Sequence, residues 1–426
     1  MFARLAFAKN ALQEPTGPDL MARNGSIASS SLALRNLRAI AILIVLAFHS
    51  MLAYLVFIPA GAADFDAPPY VWRAFAIADS RRFFGFDLIC AWQDVYLMAL
   101  MFFLSGLFVA PSLERKRAWP YLRDRLLRLG LPFVFGVVVL IPVATYPAYL
   151  VTGADPAVAA YWDALLALPF WVNGPLWFLW QLLALNIAVA TLQRFAPRAI
   201  AALGRWSAPA DVRFTRYLAA LLAASALAYV PLALAFTPWA WSEFGPFDVQ
   251  YCRPLLYAVY FFAGVGIGAA GIERGLLAVD GVLARHWARW LAAALIALFV
   301  WMGLTSLTLH GPAPVAVQIA ADLGFVVACA TGCFFLVGAS LHFAAARRSP
   351  MLDGLSSNAY GLYLVHYTFV VWLQYALLTV ALFAVVKAAI VFGATLALSF
   401  TVVLAAQRLP LGALLVGAPR RAVATS

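Results

Sequence analysis

Residues 38–49 read RAIAILIVLAFH, and after Ser50 the apolar residues continue as MLAYLVFIPA. A run of this length predicts a membrane-spanning helix. His49 follows Arg38 by eleven residues, about 20° from three whole helical turns, so the two side chains share one face. At about 1.5 Å per residue, His49 is expected roughly 16 Å from Arg38 and near the bilayer midplane. An ionisable side chain at that depth indicates a functional site, whereas Arg38 at the membrane edge can extend toward water.

The composition is that of a membrane protein throughout the chain. Hydrophobic residues make up 65% of the sequence and charged residues 11%, against about 45–50% and about 25% in soluble domains. Because apolar runs recur with short gaps, we expect one membrane domain over residues 35–410. Residues 1–34 are expected to form a poorly ordered cytoplasmic arm, and residues 411–426 a cytoplasmic tail.

Ten apolar segments are long enough to cross a bilayer. They occupy residues 37–58, 93–112, 130–151, 175–193, 217–236, 254–272, 288–308, 315–343, 359–379 and 383–406. The sequence therefore predicts an all-α integral membrane protein with about ten transmembrane helices.

The basic residues predict the orientation of these helices. Of the 29 Lys and Arg residues, all but five lie on alternate connections, and the exceptions are Arg73, Arg81, Arg82, Arg253 and Lys387. Cytoplasmic connections carry such an excess, so both termini are expected in the cytoplasm. This topology accounts for the net charge of +11, and no nucleic-acid partner is expected.

Two long outer connections, residues 59–92 and 152–174, mix aromatic residues with Asp. They either form the rim of an external site or anchor the protein at the membrane interface. Cys329 and Cys333 lie among small residues and indicate packing positions. The chain has no phosphate-binding glycine loop, nucleophile elbow or HExxH motif, and we expect no metal site.

Four motifs occur in order along the chain. They are LRNLR at 34–38 leading to His49, FFLSG at 102–106 followed by Arg125, Arg128 and Pro132, GPLWFL at 174–179, and SNAYGLYLVH at 357–366. Together they resemble the membrane-bound acyltransferase 3 family, which includes enzymes that O-acetylate or O-succinylate bacterial polysaccharides. The resemblance implies a multi-pass protein of the bacterial inner (plasma) membrane, in contact with membrane lipid.

The resemblance also implies an activity. We expect an acyltransferase that moves an acyl group, acetyl or succinyl, from acyl-coenzyme A to a hydroxyl of an extracytoplasmic carbohydrate, such as a glucan or a lipid-linked sugar. Acyl-coenzyme A would be the donor substrate, and no permanently bound cofactor is expected.

The chain departs from the family pattern at two places. Many members have Asp at the position of Asn36, and many have an Asp shortly before the Phe-Phe pair, where Leu100 and Met101 stand here. The second departure is shared by the glucan-succinylating branch and favours a glucan acceptor. It also removes one candidate partner for His49.

Acyl transfer to a hydroxyl needs a base, and the ordinary pKa of histidine near 6.5 suits that role. His49 is therefore the candidate general base, with an acyl-histidine intermediate as the alternative. Arg38 is the second candidate catalytic residue, which orients a donor phosphate or stabilises an oxyanion. A structural role remains the other interpretation: packing for His49, and topology for Arg38.

Arg125 and Arg128, three residues apart on the cytoplasmic side, are predicted to bind the donor phosphates; the alternative is that they serve topology alone. The predicted tunnel-lining or acceptor-lining residues are Trp177, Tyr363 and His366, although each is also compatible with packing.

A proton-coupled secondary transporter or flippase is the alternative function. In that case His49, Asp322 and His366 would form a proton pathway. Transporters often contain repeated halves, and the sequence shows no clear internal repeat. A scaffold or sensor without catalysis is a third possibility, and the presence of Arg38 and His49 argues against it.

Overall fold

The computed structural model describes residues 17–58, 64–68, 70–242, 244–273, 275–309, 311, 313–346 and 348–417, with side chains from residue 29 onward. Each of the ten predicted segments lies in a long helix. We number these helices α1 Gly17–Met51, α2 Phe84–Gly106, α3 Ala118–Leu150, α4 Trp177–Phe195, α5 Phe214–Phe236, α6 Pro254–Ala270, α7 Trp287–Leu309, α8 Val315–Ala344, α9 Pro350–Ala376 and α10 Ala384–Ala406.

Short helical elements connect the long ones. The short α-helices are Val109–Lys116, Val158–Ala167, Pro197–Ser207, Val282–Arg285 and Pro410–Leu415. The 3₁₀ turns are Leu52–Tyr54, Val71–Arg73, Gly174–Leu176 and Gly275–Leu277. Within the described residues, the only β-type pairing is an isolated bridge between Trp241 and Gln250.

The all-α membrane fold is confirmed. In the described part of the chain, eight helices are long and apolar enough to cross a membrane, and α6 with residues 275–285 forms a ninth candidate bent by 92°. The remaining predicted span is α9, whose 27 residues reach about 40 Å. Its apolar residues are interrupted by polar side chains such as Asn358, His366 and Gln374.

The helix ends refine the predicted boundaries. Helix α1 begins at Gly17, so the second half of the predicted arm is helical, and residues 1–16 lie outside the described residues. Helix α2 begins at Phe84, nine residues before the predicted span, which shortens the outer connection. Of the predicted tail, residues 411–415 belong to a short helix, and residues 418–426 again lie outside the described part.

Helix α3 is interrupted by two π-helical turns, Leu126–Gly130 and Gly136–Leu140. Each turn ends two residues before a proline, Pro132 and Pro142. A proline inside a helix has no N–H and crowds the carbonyl four residues earlier, and a wider turn accommodates that carbonyl. The first π turn follows directly after Arg125.

The FFLSG motif is a close contact between α2 and α6. A Cβ on Gly106 would lie 2.1 Å from the Phe261 carbonyl oxygen, and one on Gly264 would lie 2.1 Å from that of Phe103. One turn further, Gly268 meets the Leu107 carbonyl in the same way. Small residues spaced four apart let membrane helices approach at backbone distance, so this motif fixes the position of α2.

Helix α1 is joined to α8 by hydrogen bonds from polar side chains. The Asn36 amide donates to the Ala344 carbonyl at 3.0 Å, and the Ser340 hydroxyl donates to the Ala33 carbonyl at 2.8 Å. An ionised Asp at position 36 has no hydrogen to donate. The departure from the family pattern at Asn36 therefore has a structural reason.

Ionic groups fix the outer connection that follows α1. The Asp79 N–H donates to the Ala53 carbonyl at 2.9 Å. The Asp79 carboxylate accepts from the Lys387 ammonium of α10 at 2.6 Å, and both side chains are 0% exposed. Arg73 pairs with Asp248 at 2.6 Å and joins this connection to the one before α6. The chain leaving the end of α1 is thus held in place.

Candidate active site

Helices α1 and α9 run parallel, and two contacts define their alignment. Near the cytoplasmic end, Arg35 Nε lies 3.3 Å from Asp353 Oδ1. Fourteen residues along α1 and thirteen along α9, His49 Nδ1 lies 3.3 Å from His366 Nε2. Two ionisable side chains that are distant in sequence are therefore adjacent inside the bundle.

The backbone assigns a proton to each ring of this histidine pair. His49 Nδ1 is 2.9 Å from the Val45 carbonyl oxygen, and His366 Nδ1 is 2.7 Å from that of Tyr363. A carbonyl oxygen only accepts hydrogen bonds, so both Nδ1 atoms carry the hydrogen. In the neutral rings the two Nε2 atoms keep their lone pairs. The single hydrogen on His49 Nδ1 is then shared between the Val45 carbonyl at 2.9 Å and His366 Nε2 at 3.3 Å.

The remaining nitrogen, His49 Nε2, has no hydrogen-bond partner among the described residues. Its ring is partly exposed, whereas His366 is fully buried. The Tyr367 and Phe48 rings lie 5.6 Å and 5.3 Å from that of His49, both edge-on. The Gln374 amide donates to the His49 carbonyl at 2.9 Å and fixes the backbone there. His49 thus presents an oriented basic nitrogen on its accessible side.

The depth predicted for His49 needs correction. His49 lies in the last turn of α1, which ends at Met51. The part of α1 suited to span a membrane is Ser29–Tyr54, so His49 lies nearer its outer end than its middle. The predicted span began too late in the sequence, because the polar residues before 37 also belong to the helix.

Arg38 lies three turns before His49 on the same continuous helix. Its guanidinium lies 4.3 Å from the centre of the Phe108 ring, a cation–π contact. The positive charge of Arg125 is close enough to act on Arg38 electrostatically. About 16 Å of helix separate Arg38 from His49, so Arg38 does not contact a group bound directly beside His49.

Arg125 and Arg128 differ in their surroundings. The Arg125 guanidinium lies 4.9 Å from the centre of the Tyr121 ring and is partly buried, while Arg128 is exposed. Neither has a carboxylate partner in the described part of the chain. Arg128 itself lies in the π-helical turn Leu126–Gly130, directly after Arg125. Of the two, Arg125 acts electrostatically on Arg38.

Two of the residues predicted to line a tunnel form packing contacts. The buried Tyr363 hydroxyl donates to the Pro175 carbonyl. Trp177, the first residue of α4, stacks on Tyr257 with ring centres 5.6 Å apart. Phe178 contacts both Trp177 and Tyr363, at 6.5 Å and 5.7 Å. The GPLWFL and SNAYGLYLVH motifs therefore meet beside His366.

A separate cleft of about 350 Å³ lies at the cytoplasmic side, between the helices Val109–Lys116 and Pro197–Ser207 and the end of α6. None of its lining residues belongs to the histidine pair or to the arginines near Arg38. This cleft is therefore separate from the candidate site at the histidine pair.

The acyltransferase 3 family model, described as an acyltransferase domain, matches residues 31–404. The chain belongs to the acyltransferase 3 family. The match includes all four motifs and the histidine pair, and it covers nearly the whole membrane bundle. No curated protein and no solved structure matches the chain. Membership makes this multi-pass membrane protein an enzyme that transfers acyl groups other than aminoacyl groups.

The transporter alternative required Asp322 to act together with the two histidines. Asp322 is buried in α8, where its charge acts on Tyr229 and Cys252. It has no hydrogen bond or ion pair with His49 or His366 among the described residues. The proton pathway that combined these three groups is therefore not assembled.

Three neighbours of the site were not predicted from the sequence. Tyr367 and Gln374 follow His366 by one residue and by eight, and Phe108 follows the FFLSG motif by two. Their positions next to recognised motifs were the available signal. Their contacts with His49 and Arg38 join helices far apart in the chain, and local patterns do not specify such contacts.

Proposed function

We propose that this protein is a bacterial inner-membrane O-acyltransferase that transfers an acetyl or succinyl group from acyl-coenzyme A to a hydroxyl of an extracytoplasmic carbohydrate. The observation that carries the proposal is the hydrogen-bonded histidine pair in a chain of the acyltransferase 3 family. It leaves His49 Nε2 as an oriented base on the accessible side of the pair.

In the proposed reaction, His49 Nε2 takes the proton from the acceptor hydroxyl. The hydroxyl oxygen forms a bond to the thioester carbonyl carbon, and the carbon–sulfur bond breaks. The departing thiolate receives the proton from His49 and leaves as coenzyme A. His366 is a positioning residue in this step, because its Nε2 accepts from His49 Nδ1–H and favours the imidazolium.

The donor would lie along α1. Arg38, with Arg125 beside it, offers positive charge to the phosphates of coenzyme A at the cytoplasmic end. About 16 Å further along the helix lies His49, a distance that the extended pantetheine arm can cover. The spacing of Arg38 and His49 thus matches the separation of phosphates and thioester in the donor.

The acceptor would enter from outside. His49 lies in the last turn of α1, and the aromatic outer connections surround that end of the bundle. The absence of an Asp at Leu100 and Met101, shared with the glucan-succinylating branch, favours a glucan. A lipid-linked sugar at the same membrane face is the other acceptor of this class.

The direct test measures coenzyme A release by the purified protein in lipid nanodiscs. Acetyl- and succinyl-coenzyme A are each supplied with and without glucan, and the glucan is analysed for ester groups. We expect release that increases with glucan, together with esterified product. Native protein that turns over neither donor, yet moves solute when reconstituted in vesicles, would contradict the proposal and favour a transporter.

Acid quenching during turnover separates direct transfer from an acyl-histidine intermediate. Rapid proteolysis and mass analysis of the peptide containing His49 would detect an added acyl group. We expect an unmodified peptide if His49 acts as a base.

The orientation is tested by cysteine labelling. Arg123 is exposed near the start of α3, at its predicted cytoplasmic end, so the variant Arg123→Cys should react with a membrane-impermeant thiol reagent only after the membrane is opened. Labelling from outside intact cells would invert the topology and with it the proposed sides for donor and acceptor.

A further inference from the structure

An ion pair in the outer half of the bundle has no role in the reaction described above. Asp94 lies ten residues into α2, about 15 Å from its outer end. Its two carboxylate oxygens accept from Arg253 Nη2 at 2.6 Å and from Arg253 Nη1 at 3.1 Å. The Arg253 side chain is 5% exposed, whereas that of Asp94 is 39% exposed. The buried partner thus holds a carboxylate that is itself accessible.

The accessibility of Asp94 has a physical consequence in a membrane helix. An ionised carboxylate facing lipid is costly, so charged groups at such depth face the protein interior or a water-filled space. The predicted span begins at residue 93, so Asp94 lies at its outer boundary, and we expect its exposed part to face water and not lipid. Both carboxylate oxygens keep lone pairs after pairing with Arg253 and can accept further hydrogen bonds.

An aromatic wall lies next to this carboxylate. Arg253 Nη1 also lies 3.5 Å from the Tyr257 hydroxyl, and the Tyr257 ring stacks on Trp177 at 5.6 Å with an interplanar angle of 17°. Trp177 is partly exposed, while Tyr257 is buried. The buried ring supports one face of Trp177 and leaves the rest of the indole available to a ligand.

We infer that Asp94 and Trp177 form an acceptor subsite for an uncharged sugar, with Arg253 and Tyr257 as positioning residues. A sugar offers hydroxyl donors to a carboxylate and an apolar C–H face to an aromatic ring. An anionic sugar would be repelled by Asp94. The inference rests on the proposed transfer to carbohydrate and narrows its acceptor class.

The subsite is connected to the histidine pair by ring contacts. Trp177 contacts Phe178, which contacts Tyr363, and the Tyr363 ring lies 5.7 Å from that of His366. These contacts place the proposed subsite next to the packed rings that adjoin the histidine pair. The pair Asp94–Arg253 is not the main link between α2 and α6, because the glycine contact at Gly106 already joins these helices at backbone distance.

The test compares Asp94→Asn and Trp177→Ala with a matched control, Asp248→Asn. Asp248 belongs to an outer ion pair of equal length, 2.6 Å, but its side chain is only 3% exposed. Binding of maltohexaose, cellohexaose and laminarihexaose is measured by calorimetry on protein in nanodiscs without donor. Acceptor and donor KM are then measured with the oligosaccharide that binds, and thermal unfolding reports folding.

We expect Asp94→Asn and Trp177→Ala each to weaken oligosaccharide binding and to raise the acceptor KM by about tenfold or more. The first variant loses a charge-assisted hydrogen bond to the sugar, and the second loses an aromatic contact. The donor KM should stay near the native value. Hexagalacturonate, an anionic oligosaccharide, should bind native protein weakly and should bind the Asp94→Asn variant more tightly. The control should lose thermal stability without changing acceptor binding.

The inference is overturned if both variants bind the oligosaccharides as native protein does, or if Asp94→Asn behaves as the control does. Trp177→Ala keeps the ion pair, so it decides the matter if Asp94→Asn does not fold. If native protein binds oligosaccharide through Asp94 but releases no coenzyme A, the subsite is supported and the proposed acyl transfer is contradicted. If transfer occurs with an acceptor KM that does not depend on Asp94 or Trp177, the transfer is supported and the subsite is contradicted.

Discussion

The two ends of the bundle use positive charge differently. On the outer side, three of the five basic residues are joined to carboxylates at 2.6 Å, and these pairs are Arg73–Asp248, Arg253–Asp94 and Lys387–Asp79. A fourth, Arg82, donates to the carbonyls of Val56 and Ile58. The outer cations thus hold the connections of the chain in place.

On the cytoplasmic side, the arginines nearest the site have no carboxylate partner among the described residues. Arg38 and Arg125 contact the rings of Phe108 and Tyr121 instead. A ring orients a guanidinium without neutralising it. These two like charges lie close together, an arrangement that an anionic ligand would stabilise.

The difference separates positive charges that stabilise the fold, here called the frame, from those that are available to a substrate. A cation that is paired with a carboxylate inside the protein contributes little electrostatic field at a ligand. Two neighbouring arginines without a carboxylate partner attract phosphate. The donor of the proposed reaction carries phosphates and the acceptor class proposed above is neutral. The distribution of free positive charge therefore agrees with a cytoplasmic donor and an outer acceptor.

The largest effect is expected at His49. His49→Gln keeps much of the volume and hydrogen-bonding capacity but cannot take a proton, so the rate of transfer should fall by at least about 10²-fold. In native enzyme, acid should lower activity because protonation removes the lone pair on Nε2, and this dependence should be absent from the residual rate of the variant. Transfer assays over a pH series provide the measurement, with folding checked by gel filtration.

Near-native transfer by His49→Gln, with an unchanged pH profile, would make the histidine a packing residue. The sites of donor and acceptor would then have to be joined elsewhere in the bundle.

The next largest effect concerns the outer frame. Asp79→Asn leaves the Lys387 ammonium buried without its counter-charge, which should cost about 3–5 kcal/mol of stability. Adding Lys387→Met to that variant removes the buried charge and should recover most of the loss. Chemical unfolding in detergent gives both values. Equal stability of native protein and Asp79→Asn would show that the outer pair is not part of the frame.

A smaller effect is expected at the free cytoplasmic arginines. Arg38→Ala and Arg125→Lys should each raise the donor KM by about tenfold, because a lost or altered charge-assisted contact to phosphate weakens binding by that order. Thermal stability should change little, since neither residue is ion-paired. Steady-state kinetics with acetyl- and succinyl-coenzyme A check this prediction, and the matched control is the exposed Arg128→Lys, whose effect should be weaker.

The smallest effect is expected at the ion pair that opens the contact between α1 and α9. Arg35 and Asp353 are 48% and 41% exposed and 3.3 Å apart, so Arg35→Ala should change stability by only about 0–1 kcal/mol. Unfolding at low and high salt measures it. A loss as large as that of Asp79→Asn would remove the contrast between an exposed and a buried pair.

The sequence predicted the ten helices well because apolar runs of membrane length are a local property. It predicted their ends less well. Helix α1 begins at Gly17 and helix α2 at Phe84, in both cases before the apolar run from which the span was predicted. The π-helical turn Leu126–Gly130, which contains Arg128, was not predicted from the spacing either.

The sequence by itself determined the membrane class, the family motifs and the common face of Arg38 and His49, because these follow from composition and from the period of one helix. The tertiary structure decided the partners. His49 and His366 are 317 residues apart, and Asp94 and Arg253 are 159 apart. Such pairs form only when separate helices pack. The packing energy depends on contacts throughout the bundle, so no single segment of the sequence determines it.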